Sequence, residues 1–93
     1  MDTNNYAMIP KCGGLPNLTQ FKVVVGAKQL RKALQKGVAR CVYLAENADP
    51  ALTEQLEMLC RSSAVDVTWV STMADLGRAC GIEVGAAAAA VID

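Results

Sequence analysis

The sequence predicts an α/β fold, a three-layer α/β/α sandwich built on a central sheet of about four strands. Three observations predict it. Short β-branched runs alternate with stretches of helical apolar spacing. Glycine, proline and helix-capping residues stand at the junctions. The 93 residues, 53% of them hydrophobic, suffice for one core and not for two.

Each element has its own signature. Residues 1–19 show no apolar period and are punctuated by Asn4, Asn5, Pro10, Gly13, Gly14, Pro16 and Asn17. They read as a poorly ordered extension or a short helix with a turn, with the domain over 20–93. Residues 21–25 (FKVVV) read as a brief strand or the approach to a helix. Residues 26–37 (GAKQLRKALQKG) read as a helix bounded by Gly26 and Gly37, glycine being a favoured C-terminal breaker. Residues 41–45 (CVYLA) form a buried strand. Asp49 followed by Pro50 starts the next helix, the Asp as cap and the Pro in the first turn. Leu52, Leu56, Leu59 and Cys60 then recur at helical spacing. Residues 65–70 (VDVTWV) alternate as a strand, with Val65, Val67 and Trp69 on one side. Thr72 and Asp75 have capping-box spacing and open a short helix ending at Gly81. In the tail, five consecutive alanines favour a helix. Val84, Val91, Ile92 and the flanking glycines favour a loop and a buried strand, and the preceding alternation selects that strand.

Charge is the next clue. The formal net charge is zero. Residues 1–40 carry seven Lys or Arg and one acid, a balance of +6, whereas residues 41–93 carry two Lys or Arg and eight acids, a balance of −6. Such asymmetry points to a polyanion partner, unless opposite charges meet in the fold and cancel. The helix over 26–37 concentrates the positive charge. Projected at about 100° per residue, Lys28, Arg31, Lys32 and Lys36, with Gln29 and Gln35, fill an arc of roughly 160°. Ala27, Leu30, Ala33 and Leu34 fill the opposite side. No acid lies between residues 22 and 45, so the helix has no internal ion-pair partners. Lys28, Lys32 and Lys36 stack at i+4 spacing, which costs a few tenths of a kcal/mol per pair until an anion relieves it. An ordinary solvated face is the competing reading.

The composition sets aside several classes. Histidine is absent, which excludes Ser–His and Cys–His nucleophilic catalysis. No phosphate-loop or dinucleotide motif is present. Glu54 and Glu57 lie in a helical pattern as a solvated face. No enzyme, metal or cofactor is therefore expected. Cys12, Cys41, Cys60 and Cys80 are far apart and lack zinc spacing, and they read as reduced thiols of a cytoplasmic protein. The four aromatics, Tyr6, Phe21, Tyr43 and Trp69, are too few for a base-stacking platform. No signal region and no membrane-spanning run is visible. Residues 82–86 (IEVGA) follow a helix end. They read either as the opening of a core strand, which the residues alone favour, or as an apolar loop offered to a ligand.

Four stretches together resemble a known family. Gly26-Ala27-Lys28-Gln29-x-x-Lys32 resembles the helix start of the kink-turn-binding ribosomal proteins, the L-seven-Ae and L-thirty-e group. Leu44-Ala45-Glu46-Asn47-Ala48-Asp49-Pro50, Leu76-Gly77-Arg78-Ala79-Cys80-Gly81 and Ile82-Glu83-Val84-Gly85-Ala86-Ala87 follow in the family's order. The last is most similar to small bacterial members. The resemblance implies an α/β/α sandwich, here with a central mixed sheet, and binding to a kink-turn. That motif is an RNA duplex with a three-nucleotide bulge flanked by sheared G·A pairs. Gly26 would let the backbone approach closely. Lys28 and Gln29 would face the G·A edges, Lys32 would read a guanine or hold a phosphate, and Lys36 would touch phosphates. Arg31 joins them in the expected interface. Ile82, Glu83, Val84, Gly85, Ala86 and Ala87 would cover the flipped-out bulge nucleotide, with Asp49 near that loop.

Two departures stand out. Many relatives carry Asn-Glu where this chain has Lys28-Gln29, which implies weaker or differently tuned binding. Met73 stands where some relatives have a lysine touching RNA. The expected partner is structured RNA, ribosomal or regulatory, bound by a monomer that touches no membrane. The alternative is a protein–protein module of a ribonucleoprotein using Glu46, Asp49, Glu54 and Glu57.

Overall fold

A computed structural model describes residues 18–93. A 3₁₀ turn, Leu18–Gln20, leads into β1 (Val23–Val25), α1 (Ala27–Lys36), β2 (Ala39–Ala45), α2 (Pro50–Ser62), β3 (Val67–Val70), α3 (Met73–Ala79) and β4 (Ala88–Ile92). The strands form one sheet in the order β1-β4-β2-β3. β4 runs antiparallel to both its neighbours, and β2 and β3 are parallel. The fold is the expected α/β sandwich with a mixed sheet of four strands.

Alternation along the two central strands makes two cores. Val42 and Leu44 of β2, with Ala88 and Ala90 of β4, meet Leu30 and Leu34 of α1 and Leu56 and Cys60 of α2. Tyr43 of β2, with Ala89 and Val91 of β4, meets Leu76 of α3, Val70 of β3 and Leu18 of the opening turn. Leu18 is fully buried, two residues before the expected start of the domain. Residues 1–17, most of the expected extension, lie outside the described residues.

The last three residues of the alanine run, 88–90, are strand because of their place in the sheet. Val24 and Val42 pair with Ala90 from opposite sides. Ala88, Ala89 and Ala90 are fully buried. Two hydrogen-bonded neighbours and a helix layer on each face outweigh the intrinsic helix preference of alanine.

The predicted punctuation also forms. The Asp49 carboxylate accepts from the Ala51 N–H at 3.0 Å, with Pro50 in the first turn. The Thr72 hydroxyl accepts from the Asp75 N–H at 3.0 Å. Gly37 closes α1 in the left-handed conformation, its N–H directed at the Ala33 and Leu34 carbonyls.

Boundaries shift where pairing decides them. β2 begins at Ala39, two residues early, because Ala39 pairs with Ile92 and Cys41 with Val91. The register shift between them marks Arg40 as a bulge, and Arg40 is ion-paired with Asp93. Trp69 lies on the edge strand and is 38% exposed, and Leu59 on α2 is 40% exposed.

Cys60 is fully buried, as its apolar context predicts. Burial, with a smaller contribution from Glu57, pushes its thiol up to about 11. The neutral thiol is the form the fold favours. Its stabilising effect is therefore complete below the ordinary value of 9.0 and lost as pH rises through about 11. Urea unfolding across that window should show falling stability, with a shallower fall in Cys60→Ala. Equal slopes in the two proteins would place the thiol outside the core.

Candidate nucleic-acid interface

Strand direction gathers the candidate residues at one end of the sheet. β1, β2 and β3 run the same way and β4 runs against them. The C-terminal ends of the first three and the start of β4 therefore share an edge. The helices α1, α2 and α3 all begin there, so their positive dipole ends converge.

Two of those helix starts are already satisfied. Asp49 places a carboxylate at the start of α2. Thr72 caps α3, Asp75 lies in its first turn, and the Met73 N–H donates to the Asn47 Oδ1 at 2.8 Å. α1 differs. Its cap is Gly26, which makes no side-chain cap hydrogen bond, and its first turn holds no acid. The first N–H groups of α1 have no intrahelical acceptor. Such a start is suited to an anion.

Gly26 is required by backbone conformation. Its φ is +102° with ψ 154°, a region essentially restricted to glycine. An added Cβ would meet nothing within 4 Å. The conformation turns the chain out of β1 while the Gly26 N–H donates to the Ala88 carbonyl at 2.9 Å. Its carbonyl accepts from the Leu30 N–H at 2.9 Å, which starts the helical ladder.

The expected two faces of α1 are present. Leu30, Ala33 and Leu34 are buried, and Lys28, Gln29, Lys32, Gln35 and Lys36 are exposed. Arg31 is half-buried, and its guanidinium donates to the Gln55 Oε1 on α2 at 3.3 Å. It braces two helices as well as adding charge. Among the described residues Lys28, Lys32 and Lys36 enter none of the ion pairs.

Residues 82–87 form a loop, and β4 begins only at Ala88. Part of it is core: Ala86 is buried and Ile82 packs against the cluster beneath α3. Part is surface: Glu83 and Gly85 are exposed, and Val84 is 70% exposed. The strand reading of residues 82–86 therefore does not hold, because β4 pairing begins only at Ala88: the segment is a loop with Ala86 buried in the core and Val84 on the surface. The Ala86 N–H donates to the Met73 carbonyl at 2.9 Å, and the Ala45 N–H donates to the Ala87 carbonyl at 2.9 Å.

The Gly26–Ala88 hydrogen bond makes this loop the neighbour of the uncapped helix start. Lys36 stands apart, eight residues and about 12 Å along the helix from Lys28. Asn47 and Gly77 were singled out for no role by sequence alone, yet both contact the framework that holds the loop. Among the described residues no group of His, Cys, Asp and Glu could hold a metal ion. No described helix is long and apolar enough to cross a membrane.

The sequence model of the Ribosomal protein L7Ae/L30e/S12e/Gadd45 family matches residues 16–93. The chain belongs to that family. An RNA-binding protein of Bacillus pumilus is 44% identical over 70 residues, spanning 75% of this chain and 85% of the relative. RNA-binding protein YbxF of Geobacillus stearothermophilus is 44% identical over 71 residues, 76% of this chain and 87% of its own length. Among solved structures, a Giardia lamblia 15.5kD RNA binding protein superposes with a TM-score of 0.73 at 27% identity. That alignment covers 77% of this chain and 61% of the Giardia chain. A Bacillus halodurans C protein of unknown function superposes with a TM-score of 0.71 at 29% identity, covering 77% of this chain and 72% of the other. The family match and the superpositions thus agree with the resemblance read from the sequence and with the α/β fold.

Gly26→Ala should destabilise the fold by about 1–3 kcal/mol, because alanine must adopt a conformation reserved for glycine. Urea unfolding reads this directly. An unchanged midpoint would mean that another backbone conformation at position 26 supports the same junction.

Proposed function

We propose that this L7Ae-family protein binds structured RNA containing a kink-turn and catalyses no reaction. One observation carries the reading: the acid-free start of a basic helix, capped by Gly26, is hydrogen-bonded to Ala88, the strand residue that directly follows a loop with an exposed valine. The first part suits phosphates and base edges. The second suits an unstacked base. RNA is recognised largely by shape and by bases splayed from a helix, and a kink-turn presents both demands close together. The relatives named as RNA-binding proteins support the same reading.

Lys28 and Gln29 lie in the first turn, beside the free N–H groups of α1, and face the edges of the sheared G·A pairs. Lys32, one turn on, reads a guanine or holds a phosphate. Lys36 neutralises a phosphate farther along the duplex. Arg31 adds charge while its bond to Gln55 holds α1 against α2. The loop over 82–87 lies against the extruded nucleotide, with Val84 as its apolar contact. The protein acts as a cytoplasmic monomer on ribosomal or regulatory RNA, through residues 20–93. The acidic alternative is less well supported, since Asp49 serves as a helix cap and Glu57 lies 3.8 Å from Arg61.

A gel shift tests the reading. A kink-turn RNA should bind more tightly than the same duplex with its G·A pairs made Watson–Crick, and equal affinities would refute the proposal. Lys32→Ala and Gln29→Ala should each weaken kink-turn binding by about 1–3 kcal/mol. Lys36→Ala should chiefly flatten the dependence of affinity on salt. Unchanged binding in all three variants would move the site away from α1.

A further inference from the structure

We infer that Gly77 is a positioning residue for the RNA-facing loop: the absence of a side chain there sets how closely residues 82–87 lie against α3. The inference rests on the proposed function, in which that loop meets an extruded base.

Glycine at this position has no conformational reason. Gly77 lies inside α3 and is not among the residues with positive φ. A glycine in a helix interior lowers stability relative to alanine. Close approach explains its presence. A Cβ on Gly77 would stand 2.0 Å from the Val84 carbonyl oxygen, 3.0 Å from the Val84 carbonyl carbon and 3.1 Å from the Gly85 Cα. All three atoms are backbone, so no side chain can swing aside to make room. Gly85 answers from the loop, where an added Cβ would stand 3.1 Å from the Met73 Cβ. Glycine thus stands on both sides of one helix–loop contact.

The loop is also fastened on either side of this contact. The Ile82 N–H donates to the Gly77 carbonyl at 3.1 Å, and the Ala86 N–H donates to the Met73 carbonyl at 2.9 Å. Met73 is held in turn, its N–H donating to the Asn47 Oδ1 at 2.8 Å. With both flanks tied, a methyl group at position 77 displaces the segment between them. That segment carries Val84, the exposed apolar side chain. Contacts of a real Cβ stay beyond 3.0 Å, so the displacement is on the order of 1 Å. α1 packs on the opposite face of the sheet, within the other core cluster. A change at Gly77 therefore separates the loop from the basic helix.

The experiment compares two kink-turn RNAs, one with an intact extruded base and one abasic at that nucleotide. The wild-type protein should prefer the intact RNA by about tenfold, the scale of an apolar contact with one base. Gly77→Ala should bring that ratio close to one, with affinity for the abasic RNA and the salt dependence unchanged. Circular dichroism and thermal melting establish that the variant is folded. Asn47→Ala removes the acceptor for the Met73 N–H and adds no atom. It should lower the ratio part of the way, and it decides the matter if Gly77→Ala does not fold. A wild-type ratio in folded Gly77→Ala, or in Asn47→Ala where the first variant is unfolded, overturns the inference. So does an equal loss of affinity for both RNAs, which would mark a general structural role. A wild-type protein that distinguishes kink-turn from Watson–Crick duplex but not intact from abasic RNA overturns this inference alone. Loss of the first distinction instead removes the proposed function.

Discussion

The hydrogen bond from the Gly26 N–H to the Ala88 carbonyl joins the two halves of the candidate interface. It comes where β1 gives way to α1 and where the loop over 82–87 gives way to β4. Ala88 lies in the second strand of the sheet, with β1 on one side and β2 on the other. The Ala45 N–H binds the adjacent Ala87 carbonyl, so the end of the loop is held from both directions. Basic helix and apolar loop are 56 residues apart in sequence, from Gly26 to Ile82. The antiparallel placement of β4 between two parallel strands makes them adjacent.

The same topology explains why α1 is the helix left open. Three helix starts converge on one sheet edge, and each brings partial positive charge. At α2 and α3 that charge is answered within the protein, by Asp49, by Thr72 with Asp75, and by the Asn47 amide oxygen. At α1 a glycine cap offers no side chain. An anion arriving at this edge meets unanswered N–H groups at one helix start and carboxylates at the others. Polarity therefore varies along the edge, with the positive helix start at α1 and carboxylates at α2 and α3.

Much of this was legible in the sequence because it depends on local chemistry. Asp49-Pro50, Thr72 and Gly37 announce helix ends through bonds to their own neighbours, and all serve as predicted. The two faces of α1 follow from a period of 3.6 residues. Features set by distant residues were harder to read. Five alanines carry no alternating pattern, so only the pairing of β4 with both neighbours shows Ala88, Ala89 and Ala90 to be strand. A helical projection puts Arg31 on the basic side but contains no information about Gln55, 24 residues away. Gly77 was visible within a family-like stretch, yet its closeness to Val84 arises only when the loop folds back on α3.

The zero net charge gains meaning from where the ion pairs form. Had the basic and acidic halves cancelled, α1 would be an ordinary solvated face. Arg40 and Asp93 do link the halves. Arg61 with Glu57 and Arg78 with Asp75 are pairs within the acidic half, so among the described residues the lysines of α1 enter no ion pair. Three lysines are a small electrostatic resource for a polyanion, since salt-dependent affinity scales with the phosphates neutralised. Indiscriminate binding to RNA would accordingly be weak. On the proposed function, selectivity would come from geometry: a helix start capped by glycine, an exposed valine, and a spacing between them fixed by strand pairing and by the glycine contact under the loop. Under the proposed function, a duplex already bent to present a groove and an extruded base would satisfy both parts without large distortion, whereas a straight duplex would satisfy at most one.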